Sequence, residues 1–198
     1  MPLLRRRRAE PAEFWSWFDD NAERLALQGD PNHRSFRELG RKLKEVHPAL
    51  AFEVHGNVGG TRELVLSADG AVEGFPAVRA LAACAPVQES WTVTAFRQPR
   101  SPGVARYGGV KLVSTDVWVD LRPAGADSRV DLTVYLPDHR PDELHVRALG
   151  RLVIETVLGE VLAATRLGEL AWASVPDDPR AAGLTSLDAL PALLVQMT

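Results

Sequence analysis

The stretch Arg129-Val130-Asp131-Leu132-Thr133-Val134-Tyr135-Leu136 decides the fold class. Val130, Leu132, Val134 and Leu136 alternate strictly with Arg129, Asp131, Thr133 and Tyr135. Because successive side chains of a strand point to opposite faces, this is a strand with one buried and one wetter face. Sheets of that kind are mostly antiparallel. Working outward, Trp91 to Arg97 and Val110 to Leu121 read as two further strands, the second with a break near Ser114-Thr115. Leu50, Phe52 and Val54 share one face of a strand, and the run Leu64-Val65-Leu66 follows the glycine-rich Gly56-Asn57-Val58-Gly59-Gly60, which makes a hairpin. A short strand from Glu169 to Val175 completes the set.

Between these the period changes from 2 to about 3.6. Pro11 suits the first turn of a helix that carries Phe14, Phe18, Ala22 and Leu25 and stops at Gly29. Ser35 and Glu38 have the spacing of a capping box for a second helix, ended by Pro48. Phe75 to Cys84 is a third helix. Asp142 to about Ala164 is the longest, with two adjoining apolar rows that must face the sheet. Asp188 can cap a last helix, with Pro191 in its first turn. The order is ααββαβββαβα, an α+β fold with a mainly antiparallel sheet and helices packed against it.

The chain has 198 residues, 45% hydrophobic and 25% charged, enough for a core without disulfide or metal staples. Cys84 is the sole cysteine, which fits a reducing cytoplasm and excludes a cysteine zinc site. No apolar run reaches the roughly 20 residues of a membrane span, and the basic start lacks the apolar stretch of a cleaved signal peptide. Arg5 to Arg8 make residues 1–9 a flexible basic tail, and residues 10–198 are expected to form a single domain. The formal charge of −3 argues against nucleic acid as the main partner.

Two features carry the candidate site residues. Phe14, Trp15, Trp17 and Phe18 fall within five residues, which turn a helix through about 500° and cannot share one narrow stripe. Trp15 and Trp17 therefore either flank the buried row or form a partner surface of the kind rich in tryptophan. Arg97 shares a predicted strand face with Trp91, Val93 and Ala95, so a charge continues an apolar row. It either forms a structural ion pair with a residue such as Asp116 or Asp120, or joins Arg100 and Tyr107 in holding an anionic group.

Catalytic patterns fail: the sequence contains no nucleophile elbow, no His-Glu-x-x-His and no phosphate loop. His139 and His145, with Asp138, Asp142 and Glu143, match no familiar metal spacing. Glu155, Glu160, Asp120 and Asp131 are the carboxylates placed where acid–base work can be imagined. No catalytic, cofactor-binding or metal residue is assigned.

Phe14-Trp15-Ser16-Trp17-Phe18-Asp19-Asp20-Asn21, Glu63 to Gly70, Ala85-Pro86 and Trp91-Thr92-Val93-Thr94-Ala95-Phe96-Arg97 together resemble a family of small uncharacterised bacterial proteins. The similarity extends through Asp131 to Tyr135 and Leu158-Gly159-Glu160. It implies a bacterial cytoplasmic domain and transfers no catalytic or cofactor residue. The expectation is a non-enzymatic protein-interaction or regulatory module, reached through the aromatic helix or the Arg97 and Arg100 edge. The alternative is a small-molecule binding protein or enzyme with a pocket between the sheet and the long helix, where Arg97 holds an anion and Glu155 or Asp120 acts as acid or base.

Overall fold

Pro11 opens the first helix, α1 (Pro11–Ala26), at a position where its missing N–H has no partner to lose. The structure, a computed structural model, describes residues 8–107, 110–125, 128–137 and 144–197, with backbone alone at 107, 144 and 145. The basic tail, apart from its last two residues, lies outside the described residues, and so do Asp138 to Glu143 and the side chain of His145. The chain divides into two compact units, residues 1–97 and 98–198.

In the first unit Phe14, Trp15, Phe18 and Leu25 form the buried stripe of α1. The second helix, α2 (Arg34–Val46), is capped by His33, whose Nδ1 accepts the Ser35 N–H at 3.3 Å. This corrects the expected capping box: Ser35 is already helical and buried, and Glu38 reaches across to Arg24 at 3.1 Å. Strands β1 (Ala51–His55) and β2 (Arg62–Ser67) form the expected antiparallel hairpin. Its loop requires glycine at 56, where φ is +89° and a Cβ would sit 2.7 Å from the Thr61 carbonyl oxygen. Helix α3 (Phe75–Ala83) then carries the chain to β3 (Trp91–Ala95), which pairs with β2 in parallel. The sheet order is β1-β2-β3. Phe18 of α1 meets the Trp91 ring at 5.3 Å and Phe36 of α2 meets Phe52 at 6.3 Å, so these helices cover one sheet face.

The second unit opens with a separate two-stranded hairpin, β4 (Val104–Tyr107) and β5 (Val110–Val113). A 3-10 turn over Ser114–Asp116 is the expected break, followed by β6 (Trp118–Pro123) and β7 (Val130–Leu136), paired antiparallel. Helix α4 (Leu144–Arg166) leads to β8 (Leu167–Ser174), parallel to β7. The short β9 (Thr185–Ser186) joins the far side of β6 before α5 (Leu190–Gln196), giving the order β8-β7-β6-β9. The alternating residues of β7 face Leu149, Val153, Ile154 and Val157 of α4 and Leu187, Leu190 and Leu194, all at most 1% exposed.

The α+β class holds, with five helices and three small sheets among the described residues. Most strand pairings are antiparallel, as expected, but two of the sheets are mixed, because β3 and β8 pair in parallel. Each unit places a hairpin, then a helix, then a strand parallel to the second hairpin strand, and only a crossover can make that last pairing. Helix α4 is not one continuous rod either. It breaks at Gly159 (φ 72°, ψ 165°), a conformation that only glycine adopts freely, and in the turn before the break the Thr156 carbonyl accepts the Arg100 N–H at 2.8 Å. Asp188 does not cap α5; it lies in a preceding 3-10 turn and accepts the Ser114 hydroxyl at 2.6 Å and the Ser101 hydroxyl at 3.0 Å.

Candidate functional site

Strand β3 ends at Ala95 because Phe96 turns left-handed at φ 64°, a rare conformation for a bulky residue. Its N–H is held by the Leu66 carbonyl at 2.7 Å, and its ring is buried edge-on to Phe75 at 4.8 Å. This turn breaks the alternation, so Arg97 leaves the apolar row of Trp91, Val93 and Ala95. Its guanidinium lies instead between two carboxylates of its own unit: Nε donates to Glu53 on β1 and Nη2 donates to Asp69. Its ion-pair partners are thus Glu53 and Asp69 rather than the Asp116 or Asp120 considered from sequence, and Asp120 takes Arg122 at 3.2 Å. Burial works against the Arg97 charge, and the hydrogen bonds and charges of Asp69 and Glu53 more than reverse it, holding its pKa above the ordinary arginine value.

The second Glu53 oxygen faces His55 Nε2 at 3.1 Å, and Glu63 accepts the Thr94 hydroxyl. A polar row of His55, Glu53, Arg97 and Asp69 therefore ties an edge strand, the end of β3 and the Asp69-Gly70 turn. Both Glu53 oxygens and two guanidinium nitrogens are engaged within the row, so its chemistry is that of a clamp.

Arg62 is a residue that sequence reading passed over. It is 6% exposed, and its Nη1 donates to the Ala26 carbonyl at 3.2 Å and to those of Leu25 and Gln28, at the negative end of α1. Its guanidinium stands 5.8 Å from the ring centres of both Phe36 and Trp91. Desolvation lowers its pKa. An arginine just after a glycine-rich loop looks solvent-exposed, and only the α1 carbonyls above it explain its burial.

The five candidate residues fall in both units. Trp15 is 4% exposed, with Nε1 donating to the Leu81 carbonyl at 2.9 Å, so it belongs to the core and presents no partner surface. Trp17 is half-buried beside Phe14, at 6.3 Å between rings. Arg97 closes the first unit, whereas Arg100 and Tyr107 belong to the second: Arg100 is exposed, and Tyr107 ends β4 with its side chain outside the description. The carboxylates considered for acid–base work all lie in the second unit. Asp131 lies opposite Arg122 rather than Asp120, and its Oδ1 accepts the Glu169 N–H at 2.6 Å. Glu160 is buried at 4% exposure just past the α4 break, while Glu155 is half-buried before it.

A different feature of the first unit is concave. Between α2 and β1 runs a hollow floored by Phe36, Leu50 and Phe52, with Arg37 and Lys44 on its rim. Gly40 keeps it open, because a Cβ there would already touch the Phe52 ring at 3.4 Å. A second hollow adjoins it at Lys44 and Pro48 and is bordered by Arg8, Glu13 and Arg41. Arg41 and Lys42 are paired with Glu45. Among the described residues, Arg8, Arg37 and Lys44 have no carboxylate partner; Arg37 donates to the Asn32 carbonyl at 3.0 Å. The sequence signal for this site was Arg8 together with the five cations of α2, Arg34, Arg37, Arg41, Lys42 and Lys44.

Compared with protein-family models, curated proteins and solved structures, the chain matches none. The Phe14-Trp15-Ser16-Trp17-Phe18 stretch lies on α1, with Phe14, Trp15 and Phe18 buried. Among the described residues no helix is long and apolar enough to cross a membrane.

Proposed function

We propose that the protein is a non-enzymatic protein-interaction or regulatory module of the bacterial cytoplasm, working through the hollow along α2. The observation that carries this reading is the combination of an apolar floor at Phe36 and Phe52 with the unmatched cations Arg37 and Lys44 on its rim and Arg8 beside the adjoining hollow. Concave apolar surface bordered by charge is what partner sites offer, because the floor supplies burial and the rim supplies orientation. The alternative, a ligand pocket between the second unit's sheet and α4, has weaker support. That interface is packed with side chains such as Leu149, Val153, Ile154 and Val157, each at most 1% exposed, and Arg97 is held by Glu53 and Asp69 within the other unit.

The test is site-directed photo-crosslinking in the native cell. A photoreactive amino acid at position 44 is expected to yield a discrete protein adduct, and one at position 122 is not. The purified partner should then bind Lys44→Glu at least about tenfold more weakly than wild type, a loss of about 1.4 kcal/mol. Identical adducts from both positions, or none from position 44, sink the reading.

A further inference from the structure

Resting on that reading, we infer that the hollow between α2 and β1 takes an extended acidic segment of a partner protein, anchored by one large apolar side chain. Three observations converge on this occupant. The first is charge. Arg8, Arg37 and Lys44 lack carboxylate partners among the described residues, while the nearby carboxylates Glu45 and Asp69 are committed to Arg41 and Lys42 and to Arg97. The rim therefore offers donors that a ligand's carboxylates can satisfy.

The second is the floor. Phe52 is half-buried, and Gly40 above it contributes no side chain, which leaves ring surface for an apolar anchor. The third is the shape of the wall. Ala51 and Phe52 belong to β1, which pairs on one side with β2 and is an edge of its sheet. An edge strand suits an extended main chain better than a helix. A polynucleotide fits less well: Glu13, Glu45 and Asp69 interrupt the rim and repel phosphate, and the chain as a whole carries a charge of −3.

The experiment uses the full chain and three fluorescent probes: a peptide of about ten residues with Asp and Glu around a central Phe, the same peptide with Lys for each acid, and a single-stranded thymidine oligonucleotide. The acidic peptide is expected to bind, to weaken with salt, and to move amide resonances of Gly40, Lys44 and Phe52. Arg37→Glu with Lys44→Glu should weaken it at least about a hundredfold, at roughly tenfold per reversed charge. Gly40→Val, which fills the floor and leaves the charges, should abolish it, with the spectrum of the variant showing an intact fold. Absence of acidic-peptide binding, equal binding of the lysine peptide, or preferential binding of the oligonucleotide overturns the inference. If the position-44 crosslink succeeds while the acidic peptide fails, the occupant is wrong and the interaction reading stands; if both fail, both are wrong.

Discussion

The two units share one plan, a hairpin followed by a helix and a parallel strand, yet they fill it with different side chains. All six phenylalanines of the chain lie in the first unit. Its buried residues include Phe14, Trp15, Phe18, Phe36, Phe75, Trp91 and Phe96, whereas the buried core of the second unit is aliphatic throughout among the described residues. Aromatic rings bring edges, faces and N–H groups, and the first unit uses each of them. Trp15 and Trp91 donate to the Leu81 and Ala22 carbonyls, Phe18 meets Trp91 edge-on, and Arg62 rests on two ring faces. The second unit has a smooth interface of Val, Leu and Ile, with its directional bonds placed outside it at Ser114, Asp188 and Asp131. Topology thus leaves the chemistry of a core open, and the aromatic solution admits a buried cation that an aliphatic core could not solvate.

The sharpest way to break this contrast is truncation at its centre. Trp15→Ala should lower unfolding free energy by about 3–5 kcal/mol, because it removes a buried ring and the indole N–H bond to the Leu81 carbonyl; Trp15→Phe, which keeps most of the ring surface, should lose only about 1–2 kcal/mol in the same urea titration. In the aliphatic unit Leu149→Ala should cost about 2–4 kcal/mol, and Leu149→Met less than about 1.5. Gly159→Ala tests whether the α4 break is imposed: it should destabilise by about 1–3 kcal/mol although alanine favours helices, and a stabilisation would refute the break. Ser114→Ala strips a donor from Asp188 and an acceptor from the Gly103 N–H, for about 1–2 kcal/mol read from thermal melts. Arg97→Ala should have the smallest effect, about 1 kcal/mol or less and diminishing with salt, since its ion pairs are about one-third or more exposed.

The readable parts of the fold were those that report through local chemistry. Pro11, Pro48 and the glycines at 56, 59 and 60 mark ends and turns by backbone constraint, and β7 declares its buried face through alternation. Alternation says which face is buried and nothing about which strand lies alongside, so the parallel pairings of β3 and β8 were hidden. Strand β4 is four residues long and too short to show a period. The α4 apolar rows continue on both sides of Gly159 and conceal the break. Arg97 misled for a specific reason: counting by twos assumes a continuous strand, and the left-handed Phe96 removes that assumption one residue too early. Of the candidate site residues, Trp15 stayed ambiguous in sequence because a tryptophan satisfied by a distant carbonyl looks, in one dimension, like one available to a partner. The basic character of the hollow was legible in α2, but its apolar floor needed Phe36 and Phe52, 16 positions apart in sequence, to be brought ring to ring.

The parallel pairings also carry information about time. Neighbouring hairpin strands need to close only a short loop, whereas β3 and β8 can dock only after a whole helix has folded back over the sheet. In each unit the hairpin is therefore expected to form early and the parallel strand late, an order that folding kinetics of variants in β2 and β3 would check. On that order the segment ending at Phe96 and Arg97 docks last in the first unit, and the clamp with Glu53 and Asp69 would act as a latch on an assembly already built.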